Sequence, residues 1–133
     1  MKKILLDTNA YVRYLGGDER VLNEMAEADV VYLSVFVMGE LYAGFRGGNR
    51  YQQNKTILEK FLQKPTVEIL NATETTSDIF GQLKNDLKKS GKPLPINDVW
   101  IASQALEMGA VLVSYDRHFI KCPGLRLWDH FIK

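Results

Sequence analysis

The sequence predicts an α/β fold, a three-layer sandwich with a mostly parallel sheet of four to five strands flanked by helices. Two observations carry this. Short apolar runs alternate with longer segments whose apolar residues recur at helical spacing, the pattern of strand–helix–strand units. The short runs are apolar throughout instead of alternating with polar residues, as expected of strands covered on both faces. At 133 residues the chain fits one domain, residues 1–133, long enough to build a core without staples.

The elements follow in order. Ile4 to Leu6 is the first predicted strand, and Asn9 to Leu15 a short helix stopped by Gly16 and Gly17. Asp18 to Ala28 reads as a second helix, with Val21, Leu22 and Met25 on one apolar face. Val30 to Leu33 ("VVYL") is the second strand, after which Ser34 caps a helix running to about Gly47. A helix over Asn54 to Gln63 places Ile57, Leu58, Phe61 and Leu62 inward and ends at Pro65. Thr66 to Leu70 ("TVEIL") is the third strand. Thr76 to Ser90 carries Ile79, Phe80, Leu83 and Leu87 at helical spacing and is closed by Gly91 and Pro93. Asn97 to Met108 is a helix started by Asn97 or Asp98 and closed by Gly109. Ala110 to Ser114 is the fourth strand and Leu125 to Trp128 a short fifth.

Composition narrows the function classes. Apolar residues make up 46% and charged residues 25%, ordinary for a globular protein, and the net charge of +1 offers no global attraction to a polyanion. Contact with nucleic acid therefore has to come from local patches. The single cysteine, Cys122, excludes an internal disulfide, and no Cys/His set has zinc spacing. The apolar core of "MKKILLDTNAY" is too short for a signal peptide, and no apolar run approaches the ~18 residues of a membrane span. A cytoplasmic location with no membrane partner is expected.

The acids sort to one place. In a parallel α/β sheet, ligands bind beyond the carboxyl ends of the strands, where the crossover helices also begin. Asp7 directly follows the first strand, and Asp116 follows the fourth by two residues. Asp98 opens the helix leading into the fourth strand, and Glu40 lies in the second turn of the helix after the second. All four are expected at one rim, in apolar surroundings such as "VFVMGELYAGF" and "LPINDVWIASQAL". At an effective dielectric of about 20, a like-charge pair at ~4 Å costs on the order of 4 kcal/mol. A hard divalent cation resolves such a conflict, and Mg²⁺ favours carboxylates while keeping waters, one of which it can activate as a nucleophile.

Each motif also has a plainer reading. Asp7-Thr8-Asn9 and Asn97-Asp98 could be helix caps, a role compatible with a site. Asp116 alone could be a turn residue. Glu40, three residues after Val37 and three before Ala43, is expected on the inner stripe of its helix, where an acid needs a partner or a function. His118 and His130 read as surface or packing residues, and Trp100 and Trp128 as core. Lys84, Lys88, Lys89 and Lys92 form either a solvated helix face or, extended by Arg13, Arg46 and Arg50, a phosphate-contacting rim beside the acids.

"LLDTN", "GELYAG", "INDVWIASQAL" and "VLVSYDRHF", in that order over nearly the whole chain, resemble the PIN-domain family, specifically the VapC-type toxin ribonucleases of bacterial and archaeal toxin–antitoxin pairs. The resemblance implies a Mg²⁺- or Mn²⁺-dependent endoribonuclease that hydrolyses RNA phosphodiester bonds with a metal-activated water. It implies that Asp7, Glu40, Asp98 and Asp116 form the catalytic quartet. Asp7 and Asp98 would be the main metal ligands, with Asp116 completing the site and Glu40 binding metal or orienting the water. Thr8, Asn9 and Ser114 match the supporting polar positions; the family often has threonine where Ser114 stands. A homodimer and a small inhibitory antitoxin are implied partners, with "FVMGELYAGF" as the apolar surface for them. Lys84, Lys88, Lys92 and Arg13 are the candidate RNA contacts. The alternative is a non-catalytic module of the same fold that binds a partner protein or RNA. A phosphoacceptor receiver lacks its acidic pair here, and a haloacid-type phosphatase would need an acid where Asn9 stands.

Overall fold

The structure is a computed structural model and describes residues 1–128. Four strands, β1 (Lys3–Leu6), β2 (Val30–Ser34), β3 (Val67–Leu70) and β4 (Val111–Val113), form one sheet in the order β3-β2-β1-β4. Every pairing is parallel, with Leu6 opposite Leu33 on one side and Val113 on the other. Helices α1 (Thr8–Leu15), α2 (Glu19–Glu27), α3 (Val35–Gly47) and α4 (Tyr51–Leu62) connect β1 to β2 to β3. Helices α5 (Glu74–Lys89) and α6 (Ile96–Met108) carry the chain back across the sheet to β4. Because parallel crossovers are right-handed, reversing direction along the sheet moves the helices to the opposite face. The reversal falls between β1 and β4, so the crevice characteristic of such sheets opens beyond their carboxyl ends.

Burial follows the expected pattern. Ile4, Leu5, Leu6, Val31, Leu33, Leu112 and Val113 are fully buried, as strands covered on both faces must be. Edge strand β3 is covered less, and Ile69 is 46% exposed. No helix among the described residues is long and apolar enough to cross a membrane.

Several expectations are corrected. Among the described residues the fifth strand reduces to a single bridge between Leu112 and Leu127, with the Leu112 N–H donating to the Arg126 carbonyl at 2.8 Å and the Trp128 N–H to the Leu112 carbonyl at 3.1 Å; the Trp128 indole Nε1–H donates to the Ser114 carbonyl at 2.6 Å. Helix α4 starts at Tyr51, three residues early, where Arg46 lies 4.5 Å over the Tyr51 ring and hydrogen-bonds its hydroxyl. Ile57 and Leu22 are exposed, since their neighbours Leu58 and Val21 take the inward direction of their helices. Helix α6 is capped by neither Asn97 nor Asp98; Pro95 occupies the cap position and Asp98 falls in the first turn. His130 lies outside the described residues.

Candidate active site

Asp7 has two roles. It is the N-cap of α1, its Oδ1 accepting from the Ala10 N–H at 2.8 Å, so the local rule that places an acid before a helix is satisfied. Its Oδ2 accepts from the Ser114 hydroxyl, which comes from the end of β4. Ser114 Oγ also accepts from the Asp116 N–H at 2.9 Å, fixing the turn after β4. One buried serine thus ties the acid after β1 to the acid after β4. The Trp128 indole holds the Ser114 carbonyl from below.

Glu40 departs from expectation. The inward stripe of α3 is Val37 and Leu41, while Glu40 is exposed and accepts from the Thr8 hydroxyl at 2.8 Å. It therefore faces the crevice and not the core. Asp98, half-buried, enters from the first turn of α6. Asn9 is exposed on the first turn of α1, with no hydrogen bond to the four acids among the described residues.

The acids feel one another. Burial pushes the Asp98 carboxyl up to about 6, and the charges of Asp116, Glu40 and Asp7 push the same way, with His118 opposing. Burial also pushes Asp7 up to about 6, helped by the charges of Asp116 and Glu40, against the Ser114 and Ala10 hydrogen bonds. Among the described residues, no lysine or arginine forms an ion pair with Asp7, Glu40 or Asp98. Charge stored this way invites a cation, and the donors suit one. One ligand atom each from Asp98, Asp116 and His118 lie within 4.8 Å of one another. Oxygen-rich sets of this kind fit a hard divalent ion.

His118, expected at the surface or in packing, joins this cluster instead. Its Nδ1 lies 3.1 Å from Asp116 Oδ1, an atom that also accepts the His118 N–H at 2.9 Å. The two-residue spacing from Asp116, across the start of a 3₁₀ turn (Arg117–Lys121), was the available signal. Trp100 is also not simply core. It is half-buried and stacks on both Phe36 and Phe80.

The candidate basic groups fall in two places. Lys84 and Lys88, with Leu87, Pro93, Leu94 and Val99, line a recess of ≈ 210 Å³ between α5 and the start of α6, and Lys92 is exposed in the loop between these helices. Arg13 lies 4.1 Å over the Tyr115 ring and 3.8 Å from Asp18.

The sequence profile of the PIN domain matches residues 4–125. The chain is 31% identical over 131 residues to Ribonuclease VapC2 of Haemophilus influenzae, spanning 95% of this chain and 96% of that protein. It is 29% identical over 134 residues to Ribonuclease VapC1 of the same species, spanning 97% and 98%. Among solved structures it is similar to VapBC2 from Rickettsia felis bound to a DNA fragment from their promoter, with a TM-score of 0.82, 27% identity and coverage of 94% and 96%. VapBC-1 from nontypeable Haemophilus influenzae gives a TM-score of 0.81 at 27% identity, covering 94% and 96%. A parallel sheet whose switch point gathers carboxylates, matched nearly end to end by these relatives, leaves one conclusion: the chain belongs to the PIN-domain family.

Proposed function

We propose that this protein is a divalent-metal-dependent endoribonuclease, using Mg²⁺ or Mn²⁺, and the toxin of a toxin–antitoxin pair acting in the cytoplasm. The observation that carries the reading is the convergence of Asp7, Glu40, Asp98 and Asp116 with two carboxyls raised to about 6 and no lysine or arginine paired with Asp7, Glu40 or Asp98 among the described residues. When bound, the divalent ion supplies charge stabilisation at the phosphate and lowers the pKa of water.

The chain's own residues do the rest. Asp7, Asp98 and Asp116 would hold the ion, with His118 beside Asp98 and Asp116. Ser114 fixes the Asp7 carboxylate, so the first ligand is oriented before anything binds. Glu40 is held by Thr8 and open to the crevice, which suits it to accept a proton from the attacking water. Lys84, Lys88, Lys92 and Arg13 contact flanking phosphates, offsetting the repulsion between RNA and the acids.

Partners follow from the apolar surplus on α3. Only Val37 and Leu41 are buried in that helix, leaving Met38, Tyr42 and Phe45 half-covered on one flank. A second copy of the chain and an antitoxin are the proposed occupants of such surfaces.

The test is purified protein incubated with total RNA, with and without Mn²⁺, followed by mapping of the new ends. Discrete ends that require the ion and vanish in Asp98→Asn support the reading. RNA left intact while still bound would favour the non-catalytic module instead.

A further inference from the structure

Phe36, Trp100 and Phe80, from α3, α6 and α5, form a pile of rings. Trp100 is its central member, 5.0 Å from Phe36 at an interplanar angle of 11° and 3.8 Å from Phe80 at 20°. All three rings are half-buried. Phe36 also lines an open crevice of ≈ 410 Å³ together with Val35, Gly39, Glu40, Ala43 and Asn97. Glu40 belongs to the acid cluster, and Asn97 immediately precedes Asp98. The crevice therefore reaches the acid cluster at Glu40, and Phe36, the end of the ring pile, forms part of its wall.

The geometry points to a stacking subsite in which an unpaired nucleobase, next to the phosphate being cleaved, packs against Phe36 as a further ring of this pile. The inference rests on the ribonuclease reading and names its substrate class, single-stranded RNA. Charge decides which part of the nucleotide enters. Glu40 repels a phosphate, so the neutral base fits beside Phe36 while the phosphate stays at the ion. Bases offer flat π-faces whatever their sequence, and stacking on aromatic side chains is the usual way unpaired RNA is gripped. Asn97 also lines the crevice, and an amide offers both a donor and an acceptor to the edge of a base. A base in a duplex has both faces occupied by its neighbours and cannot enter.

The experiment uses a single-stranded RNA dodecamer carrying 2-aminopurine at successive positions, bound to the non-cleaving Asp98→Asn protein. Fluorescence should be quenched at one position. Adding Phe36→Leu should abolish that quench and weaken binding roughly 5- to 150-fold. Phe36→Trp should restore both, which separates ring loss from misfolding. In the cleaving protein, Phe36→Leu should raise KM more than it lowers kcat, and an abasic site at the quenched position should cost the variant nothing further. An unchanged quench in Phe36→Leu, or no binding by the parent, overturns the subsite. So does an effect of Phe36→Leu that appears only as a changed oligomeric mass by light scattering, which would assign the ring pile to a second copy. A ring-dependent quench from a protein that cuts no RNA would uphold the subsite while refuting the nuclease reading.

Discussion

The two ends of the sheet carry acids in opposite circumstances. Where β1 and β2 begin, Lys2 Nζ lies 3.0 Å from Glu24 and 3.3 Å from Glu27, and the Lys2 N–H donates to Asp29 at 2.6 Å. Lys2 is held more firmly protonated there, chiefly by its hydrogen bond to Glu24. Where β1 and β4 finish, Asp7 is 6% exposed and Asp98 half-buried, and neither has a lysine or arginine partner among the described residues. Acidic residues alone therefore say little about function. What separates the two ends is burial without neutralisation, a state a folded protein keeps only when something else arrives to balance the charge.

The sharpest way to break the comparison is to remove charge at the uncompensated end. Asp98→Asn and Asp7→Asn should each lower RNA cleavage by on the order of 10³-fold or more, read from initial rates with saturating Mn²⁺. Full activity in either would mean that the buried acids serve the fold alone. Ser114→Ala leaves every carboxylate in place but frees Asp7 Oδ2, and should weaken metal affinity about 10- to 100-fold by titration calorimetry.

Titration supplies the next test. With folded-state values of about 6 against an ordinary 3.8, Asp7 and Asp98 stay largely protonated in the folded chain between those pH values while the unfolded chain has already ionised. The stability of the metal-free protein should therefore fall as pH rises from about 4 to about 6 and level off above. Added Mn²⁺ should raise Tm clearly at pH 7.5 and hardly at pH 5, where the ligands hold their protons. Equal shifts at both pH values would contradict the assignment of these two acids as ligands. By the same logic Asp7→Asn, which keeps a good cap, should raise the metal-free Tm at pH 7.5 by about 3–5 °C per kcal/mol of repulsion relieved. At the neutralised end, Lys2→Ala should cost no more than ~1 kcal/mol in denaturant unfolding and leave cleavage unchanged.

Much of this was legible in the sequence because strand ends and helix starts are local features. The apolar runs located all four strands, and the rule that ligands gather beyond parallel strands sent Asp7, Glu40, Asp98 and Asp116 to one rim. What the sequence could not convey depends on angles about helix axes and on distant packing. Glu40 looked inward by spacing, yet it sits about 100° around the helix from Leu41, and that rotation aims it at Thr8. The partnership of His118 with Asp116 depends on a 3₁₀ turn that no periodicity announces. Leu125 to Trp128 pairs with β4 only around Leu112, a two-bond contact whose short length its apolar composition does not reveal. The ring pile needed three helices to meet before it existed at all.

The Ser114–Asp7 hydrogen bond joins residues 107 positions apart in the chain. While the polypeptide is being synthesised, its amino-terminal acids emerge long before the segment that orients them. Some 114 residues must leave the ribosome before the pocket can close, so the growing polypeptide holds Asp7 without the hydroxyl that fixes it. On the proposed reading, hydrolytic competence arrives only with β4, once Ser114 is in place to orient Asp7.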